Sequence, residues 1–253
     1  ASAASGARRS AASVMPVGTG DLSAMLRYGD AYEIHLSKSD FFAVEKDPYH
    51  KSPTLHSPGH VQLSFGIPRD AVRRFSQRID YVRGSVILEL ETAGGSVKAE
   101  AFGLMARNVL VVAVEDRRPL SRVSASLSCW RPETGVAGAE NRLTSREVHD
   151  YDESGKPVAA GAQVNPQDRM YRLGVGTVAG FVNAAGVLTA SAESGHATNA
   201  ARRVVKPGAS YWLVIASATR YDGQPEVAAL AAFNAVAKAD PGLAVVFGYG
   251  RMV

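Results

Sequence analysis

Carboxylates crowd one short stretch near the start of the sequence, where two of them could act as an acid–base or nucleophile pair. Asp21, Asp40, Glu45 and Asp47 are close enough along the chain to be candidates. Glycoside cleavage requires two carboxyl groups on facing elements. The spacing of these four residues does not separate a catalytic pair from ordinary surface acids.

Histidines are concentrated in the same region and could bind a metal ion. Four of the six histidines are His35, His50, His56 and His60. His56 and His60 have the spacing of two ligands on a helix, but the proline and glycine between them exclude a helix. A loop zinc site built from His50, His56 and Asp47 is one interpretation. The other interpretation is a solvated loop without a metal ion. We predict that the chain carries no metal and no cofactor.

The segment MPVGTGDL contains a Gly-x-Gly that could cradle a phosphate. A phosphate loop follows a strand, precedes a helix and usually carries a Lys-Ser or Lys-Thr pair, and none of these surrounds Gly18 and Gly20. The segment therefore predicts a tight turn that delivers the first strand. We expect Asp21 to anchor that turn through backbone N–H groups.

Two adjacent aromatic residues follow directly after Ser39 and Asp40. Side chains at successive strand positions point to opposite faces, so Phe41 and Phe42 cannot share one core. One ring is expected to face a partner domain, a loop or a ligand, and aromatic faces suit sugar rings. The alternative is a ring covered by the neighbouring loop, residues 45–60.

The elements that must position these residues are mostly strands. AYEIHLS and HVQLSFG alternate apolar and polar residues, and three further strands are predicted between residues 74 and 104, with turns at Arg83-Gly84 and Ala93-Gly94-Gly95. NVLVVAVE is a short continuous apolar run, which is typical of a strand buried on both faces. The pattern predicts an all-β protein with antiparallel strands, as in a sandwich or barrel.

Two segments depart from the strand pattern. Residues 131–168 are polar and are expected to form a long loop, of the kind that serves as a binding element, lid or linker. GQPEVAALAAFNAVAKAD predicts one helix that begins at a proline and stops at Asp240-Pro241-Gly242. We divide the chain into a flexible segment (1–15), a β-sandwich domain (16–222), and a linker helix with a truncated-looking end (223–253).

Composition limits the partners and the chemistry. The net charge is only +4 and the basic residues are scattered, so no nucleic-acid partner is predicted. No segment reaches the ~20 apolar residues of a membrane helix, so no membrane association is predicted. The lone Cys129 is interpreted as a small core residue rather than a nucleophile. The small-residue start resembles the product of signal-peptide cleavage, which predicts a secreted or periplasmic location; the alternative is an arbitrary starting point.

The opening stretch, MPVGTGDLSAMLRYGDAYEIHLSKSDFFA, resembles the start of the N-terminal β-sandwich domain of family 95-type glycoside hydrolases, the α-L-fucosidase group, and related bacterial sandwich domains. A Pro-x-Gly-x-Gly turn, a strand, a glycine-containing hairpin and a Ser-Lys-Ser-Asp-x-aromatic segment follow in the order of that family. The matching residues are Pro16, Gly18, Gly20, Asp21, Met25, Leu36, Ser39, Asp40 and Phe42. Later strands and the helix match more weakly.

The resemblance implies a large antiparallel β-sandwich of super-sandwich type that packs on a helical-barrel catalytic domain and helps to shape an oligosaccharide cleft. In that family the catalytic carboxylate lies in the barrel, so the resemblance implies no catalytic residue in this chain. Ser39, Asp40, Phe41 and Phe42 are implied to face the cleft or the partner domain. Thr19 replaces the asparagine usual in the family, and Phe42 replaces a tryptophan.

Two other functions stay open at the sequence level. A free-standing carbohydrate-binding module would bind sugar without hydrolysis. A glycoside hydrolase with its own loop-built site would use His50, His56, Asp47 and Asp40, and its turnover would be lost in Asp40→Asn or His56→Ala.

Overall fold

The computed structural model describes residues 14–44, 53–55, 57–119, 121–128, 135–139, 142–151, 171–182, 189–193, 198–205 and 209–238. The strands are β1 (Met15–Gly18), β2 (Leu22–Tyr28), β3 (Tyr32–Lys38), β4 (Phe42–Val44), β5 (Pro53–Leu55), β6 (His60–Ser64), β7 (Val72–Asp80), β8 (Ser85–Thr92), β9 (Gly95–Leu104), β10 (Val109–Asp116), β11 (Ser121–Ser128), β12 (Gly135–Ala139), β13 (Arg142–Tyr151), β14 (Tyr171–Val182), β15 (Thr189–Glu193), β16 (Thr198–Val205) and β17 (Ala209–Thr219). The helix α1 spans Pro225–Ala237, and short 3₁₀ turns span Arg69–Ala71, Met105–Arg107 and Arg220–Asp222.

The strands form two large antiparallel sheets that pack face to face. The seven-stranded sheet has the order β1-β2-β3-β6-β11-β16-β15, and the eight-stranded sheet has the order β12-β13-β14-β17-β10-β9-β8-β7. A separate pair joins β4 to β5. This arrangement confirms the predicted all-β sandwich with one helix near the end of the described chain.

The main core lies between the two sheets because the strands alternate as their sequences predict. In β3, Tyr32, Ile34 and Leu36 are buried while Glu33 and His35 lie on the outer face. These inward side chains belong to a hydrophobic cluster to which strands of both sheets contribute. Full burial of such a side chain contributes roughly 1.5–3 kcal/mol, so the alternation largely determines which face of each strand points inward.

A second apolar layer explains the continuous apolar run of β10. Its alternate residues Val109 and Val111 point away from the main core and belong to a second cluster that includes residues of β14, β17 and α1. The helix buries Ala229, Phe233 and Val236 in this cluster. It begins with a proline at its first turn, as predicted. The predicted strand buried on both faces is therefore confirmed.

The predicted turns are also confirmed. The turn at 29–31 joins β2 to β3, residues 81–84 join β7 to β8, and Gly95 begins β9 with a φ of +129°. The predicted helix stop at 240–242 lies outside the described residues. Among the described residues, no helix is long and apolar enough to cross a membrane.

The prediction of a long polar loop over 131–168 is wrong for part of that segment. Strands β12 and β13 lie within it, and β13 pairs along its whole length with β14. The pairing with a neighbouring strand supplies backbone hydrogen bonds that a polar sequence alone does not reveal.

Candidate functional site

The β1–β2 turn and the end of β3 meet at one end of the seven-stranded sheet. Because β2 and β3 are antiparallel and Leu22 lies opposite Lys38, the residues that precede β2 adjoin those that follow β3. The Ser39 N–H donates to the Asp21 carbonyl over 3.0 Å. The structure therefore brings together Asp21, Ser39 and Asp40, which the sequence analysis named separately.

A buried ammonium group lies at the centre of this region. The Lys38 side chain has no solvent exposure, and its Nζ lies 2.6 Å from Asp21 Oδ2, 3.0 Å from Asp40 Oδ1 and 3.3 Å from Asp222 Oδ2. Those three carboxylates are partly exposed. Together with Lys38 and three polar neighbours they form what we term the Lys38 cluster. Its members are Asp21, Lys38, Ser39, Asp40, Asn108, Thr219 and Asp222.

The Lys38 cluster stabilises the ionised forms of Lys38 and Asp21. Burial alone would lower the pKa of Lys38, but its hydrogen bonds to Asp21 and Asp40 and the charges of Asp40 and Asp222 raise that pKa overall. Burial alone would raise the pKa of Asp21, but hydrogen bonds from Lys38, Ser39 and Asn108 lower it overall. The ammonium and the Asp21 carboxylate therefore stay charged at neutral pH.

Asn108 ties the eight-stranded sheet to the first turn. It has a left-handed backbone (φ 51°) immediately before β10, a conformation that asparagine tolerates. Its Nδ2 donates to Asp21, and its Oδ1 accepts from the Leu22 N–H at 3.2 Å and from the Thr19 hydroxyl. We expected backbone N–H groups to bind the Asp21 carboxylate, but its donors are the side chains of Lys38, Ser39 and Asn108.

The end of β17 completes the cluster. The Thr219 hydroxyl donates to Asp40, and the Thr219 N–H donates to Asp222 Oδ2 over 2.9 Å. Asp222 ends the 3₁₀ turn that precedes α1. The Lys38 cluster therefore joins the first hairpin, the start of β10 and the approach to the helix.

The geometry limits what chemistry this cluster can perform. A general acid needs a carboxyl group whose pKa is raised towards neutrality, whereas Asp21 is shifted in the opposite direction. The outer edges of Asp21, Asp40 and Asp222 remain exposed, with side-chain exposures of 36%, 27% and 40%. Such edges can accept hydrogen bonds from sugar hydroxyls or from an adjacent domain.

The two predicted aromatic residues lie in different settings. Phe41 is buried, with 1% exposure, so its ring packs inside the chain and offers no free face to a sugar. Phe42 begins β4, which pairs with β5, and its side chain lies outside the described residues.

The other sequence candidates cannot be placed. Five of them lie outside the described residues: Glu45, Asp47, His50, His56 and Cys129.

The predicted turn glycines lie within the described residues. Gly18 ends β1, and Gly20 has a φ of +98°, which favours glycine. Gly18-Thr19-Gly20 therefore forms a hairpin turn, and the Thr19 N–H donates to the Leu22 carbonyl over 2.8 Å.

Lys38, the central residue, was not among the residues predicted from the sequence, although the sequence contained a signal for it. Lys38 occupies the inward position that Tyr32, Ile34 and Leu36 occupy earlier in β3. A lysine at a core position has to be paired, so the strand pattern alone could have indicated a buried ion pair. Asn108 and Asp222 carried no comparable signal because they lie in turns far along the chain.

A second polar group lies on the outer face of the same sheet. His35 and His60 are opposite each other on β3 and β6, and their rings stack with centroids 4.2 Å apart and planes 11° apart. Glu33 Oε2 lies 3.7 Å from His35 Nε2. Burial, followed by the proximity of His35, lowers the pKa of His60 to about 4.

Comparison with known sequences gives no assignment. No protein-family model matches the chain. No curated protein matches it either.

Comparison with solved structures gives a fold likeness. The chain resembles a protein described as "Putative kojibiose phosphorylase from human microbiome", with a TM-score of 0.54 and 8% sequence identity. The match covers 93% of this chain and 34% of the other. The chain thus spans about a third of that protein's length. At this identity the likeness concerns the sandwich fold.

Proposed function

We propose that this chain is a non-catalytic β-sandwich domain of a carbohydrate-active enzyme of the glycoside hydrolase or phosphorylase type. The fold likeness carries the proposal, because nearly the whole chain matches a minor part of a protein described as a phosphorylase. A domain of that relative size leaves room for a separate catalytic domain. The family 95-type resemblance of the opening stretch supports the same class of enzyme.

The surface around the Lys38 cluster supports a role in contacting a second domain. Met105, Tyr221 and Val227 belong to the two 3₁₀ turns that flank the cluster and to the start of α1. They are 69%, 66% and 61% exposed. Apolar residues beside fixed carboxylates suit a polar-rimmed domain interface. A helical-barrel catalytic domain is the partner that we propose.

A free-standing carbohydrate-binding module is the second candidate. The observation that favours it is the exposed carboxylate edges of Asp21, Asp40 and Asp222, held at fixed positions by a buried ammonium. Fixed acceptors lose little conformational entropy when they bind sugar hydroxyls. Either role fits a secreted or periplasmic protein.

The first experiment is calorimetry of the purified chain with aryl glycosides and fucosylated oligosaccharides, following release and binding together. We expect no glycoside release. Turnover that persists through stringent repurification and is abolished by Asp40→Asn, but not by the exposed control Asp70→Asn, would overturn the non-catalytic proposal.

Binding in the same experiment separates the two candidate roles. Stoichiometric binding without release, weakened by Asp40→Asn or Phe42→Ala, would favour the carbohydrate-binding module. If the chain shows neither binding nor release, the result would favour a domain that acts only beside its catalytic partner.

A further inference from the structure

Three metal-ligating side chains converge on the outer face of the seven-stranded sheet, away from the Lys38 cluster. The register of β3 and β6 places His35 directly opposite His60, and Glu33 lies two residues before His35 on the same face. The ligand atoms of these three residues lie within 4.8 Å of one another. We propose that Glu33, His35 and His60 form a binding site for a borderline divalent transition-metal ion, with Zn²⁺ as the reference ion.

The donor set suits such an ion. Two imidazoles and one carboxylate are ligands that zinc accepts, at about 2.0–2.2 Å, and imidazole also suits nickel and copper. In a tetrahedral zinc site neighbouring ligand atoms are about 3.3 Å apart, and each imidazole nitrogen donates its lone pair in the plane of its ring. The stacked rings of His35 and His60 would therefore have to rotate apart until both ring planes contain the ion. Water would complete the coordination.

The backbone that carries the ligands is rigid. Both β3 and β6 are interior strands of the sheet, bordered by β2 and β11. The residues that alternate with the ligands, Ile34, Leu36 and Val61, are buried in the main core with 0–2% exposure. The ligand backbone positions are therefore set before an ion binds, which limits the ordering cost of binding.

One ligand has a hydrogen-bonding atom that the described residues leave unused. His60 Nε2 is buried and has no hydrogen-bond partner among them. Buried polar atoms in folded proteins are nearly always paired. Coordination of an ion through Nε2 would give this nitrogen a partner.

Arg27 acts as the positioning residue for the carboxylate. It lies opposite Glu33 across the β2–β3 pairing, and its Nε donates to Glu33 Oε2 over 2.8 Å, with a second hydrogen bond from Nη2. Ligating carboxylates commonly have such outer partners, which fix their orientation. The arrangement leaves Glu33 directed towards the histidine pair rather than towards solvent.

The test is titration of the chelator-treated chain with ZnCl₂ by calorimetry. We expect one ion per chain at this site, with binding weakened at least tenfold in His35→Gln and in His60→Gln. His149→Gln, which removes a histidine of β13, is the matched control and should bind as the unsubstituted chain does. Far-ultraviolet circular dichroism without metal checks that each variant is folded.

A second readout does not depend on the variants. The Co²⁺-loaded chain should show the visible absorption of a low-coordinate site, and Cu²⁺ should show nitrogen hyperfine coupling in its electron paramagnetic resonance spectrum. Absence of stoichiometric binding to the unsubstituted chain would overturn the proposal. Equal binding by the folded His35→Gln and His60→Gln variants would also overturn it, and it would leave the stacked histidines as a surface pair.

Discussion

At the scale of single residues, Lys38 is the most consequential side chain of the described structure. Its ammonium is withdrawn from solvent and lies within 3.3 Å of oxygens from Asp21, Asp40 and Asp222. Each carboxylate retains some solvent exposure, so water shares in stabilising them. The ammonium has no such solvent contact and depends on the carboxylates for its stability.

Removal of this cation should destabilise the fold. Lys38→Met keeps most of the side-chain volume but leaves three carboxylates facing one another, and we expect a loss of about 2–4 kcal/mol in the free energy of unfolding. Lys98→Met, on the outer face of the other sheet, is the control and should cost less than about 1 kcal/mol. Urea denaturation of both variants measures the difference. Equal effects would show that the Lys38 cluster contributes nothing special.

The same cluster predicts how stability depends on pH. The pKa of Asp21 is lower in the folded state, so its contribution is present above about pH 4 and is lost as the pH falls through the folded-state value. The pKa of Lys38 is higher in the folded state, so its contribution is present below about pH 10.4 and is lost as the pH rises through the folded-state value.

Unfolding measurements on the unsubstituted chain and on Asp21→Asn, between pH 2 and pH 7, test the acidic part of this prediction. The stability difference between the two should shrink as the pH falls below about 4. A difference that stays constant over this range would contradict the assignment of Asp21 as a carboxylate stabilised by the fold.

At the scale of elements, one close contact between the two sheets involves two glycines. A Cβ added to Gly103 in β9 would lie 2.4 Å from the Gly18 carbonyl oxygen in β1. No side chain fits at that distance, so β1 and β9 can approach this closely only because residue 103 is glycine. This contact brings the first turn close to Asn108.

Gly103→Ala should therefore separate β1 from β9. We expect a loss of about 1–3 kcal/mol, because backbone must move to admit the methyl group. Gly94→Ala is a suitable control, since its added Cβ would meet only Thr92 Oγ1 at 3.9 Å, and we expect a change within about 0.5 kcal/mol. Thermal denaturation of the two variants measures this difference. A tolerated Gly103→Ala would mean that the strands can part at little cost.

At the scale of the whole molecule, polar side-chain contacts connect the two sheets at both ends of β10. Asn108 precedes the strand and belongs to the Lys38 cluster. Asp116 ends it and forms a buried ion pair with Arg118, Nη2 to Oδ2 at 2.6 Å. Arg118 Nη1 also donates to the Phe65 carbonyl, which follows β6 in the other sheet, at 2.8 Å.

Because polar contacts connect the two sheets at both ends of β10, we expect the sandwich to unfold cooperatively. Circular dichroism, which reports on the strands, and tryptophan fluorescence, which includes Trp212 in β17, should give coincident urea transitions. Lys38→Met should shift both transitions together. Two separated transitions would show that the sheets unfold independently and that the polar contacts between them are weak.

Local sequence patterns determined much of this structure without tertiary information. The alternation in β3, the apolar run of β10, the glycine turns and the proline at the start of α1 all appear in the structure as predicted. These features follow from periodicity and backbone preference, which depend on residues close together in the chain.

Only the tertiary structure decided the rest. Asn108, Thr219 and Asp222 join Lys38 because sheet pairing brings distant turns together, and His35 meets His60 because of the register between β3 and β6. Local periodicity carries no information about which strands become neighbours across a long separation. The physical reason is that strand pairing is selected by the burial of the whole core, to which every strand contributes, and not by any one segment.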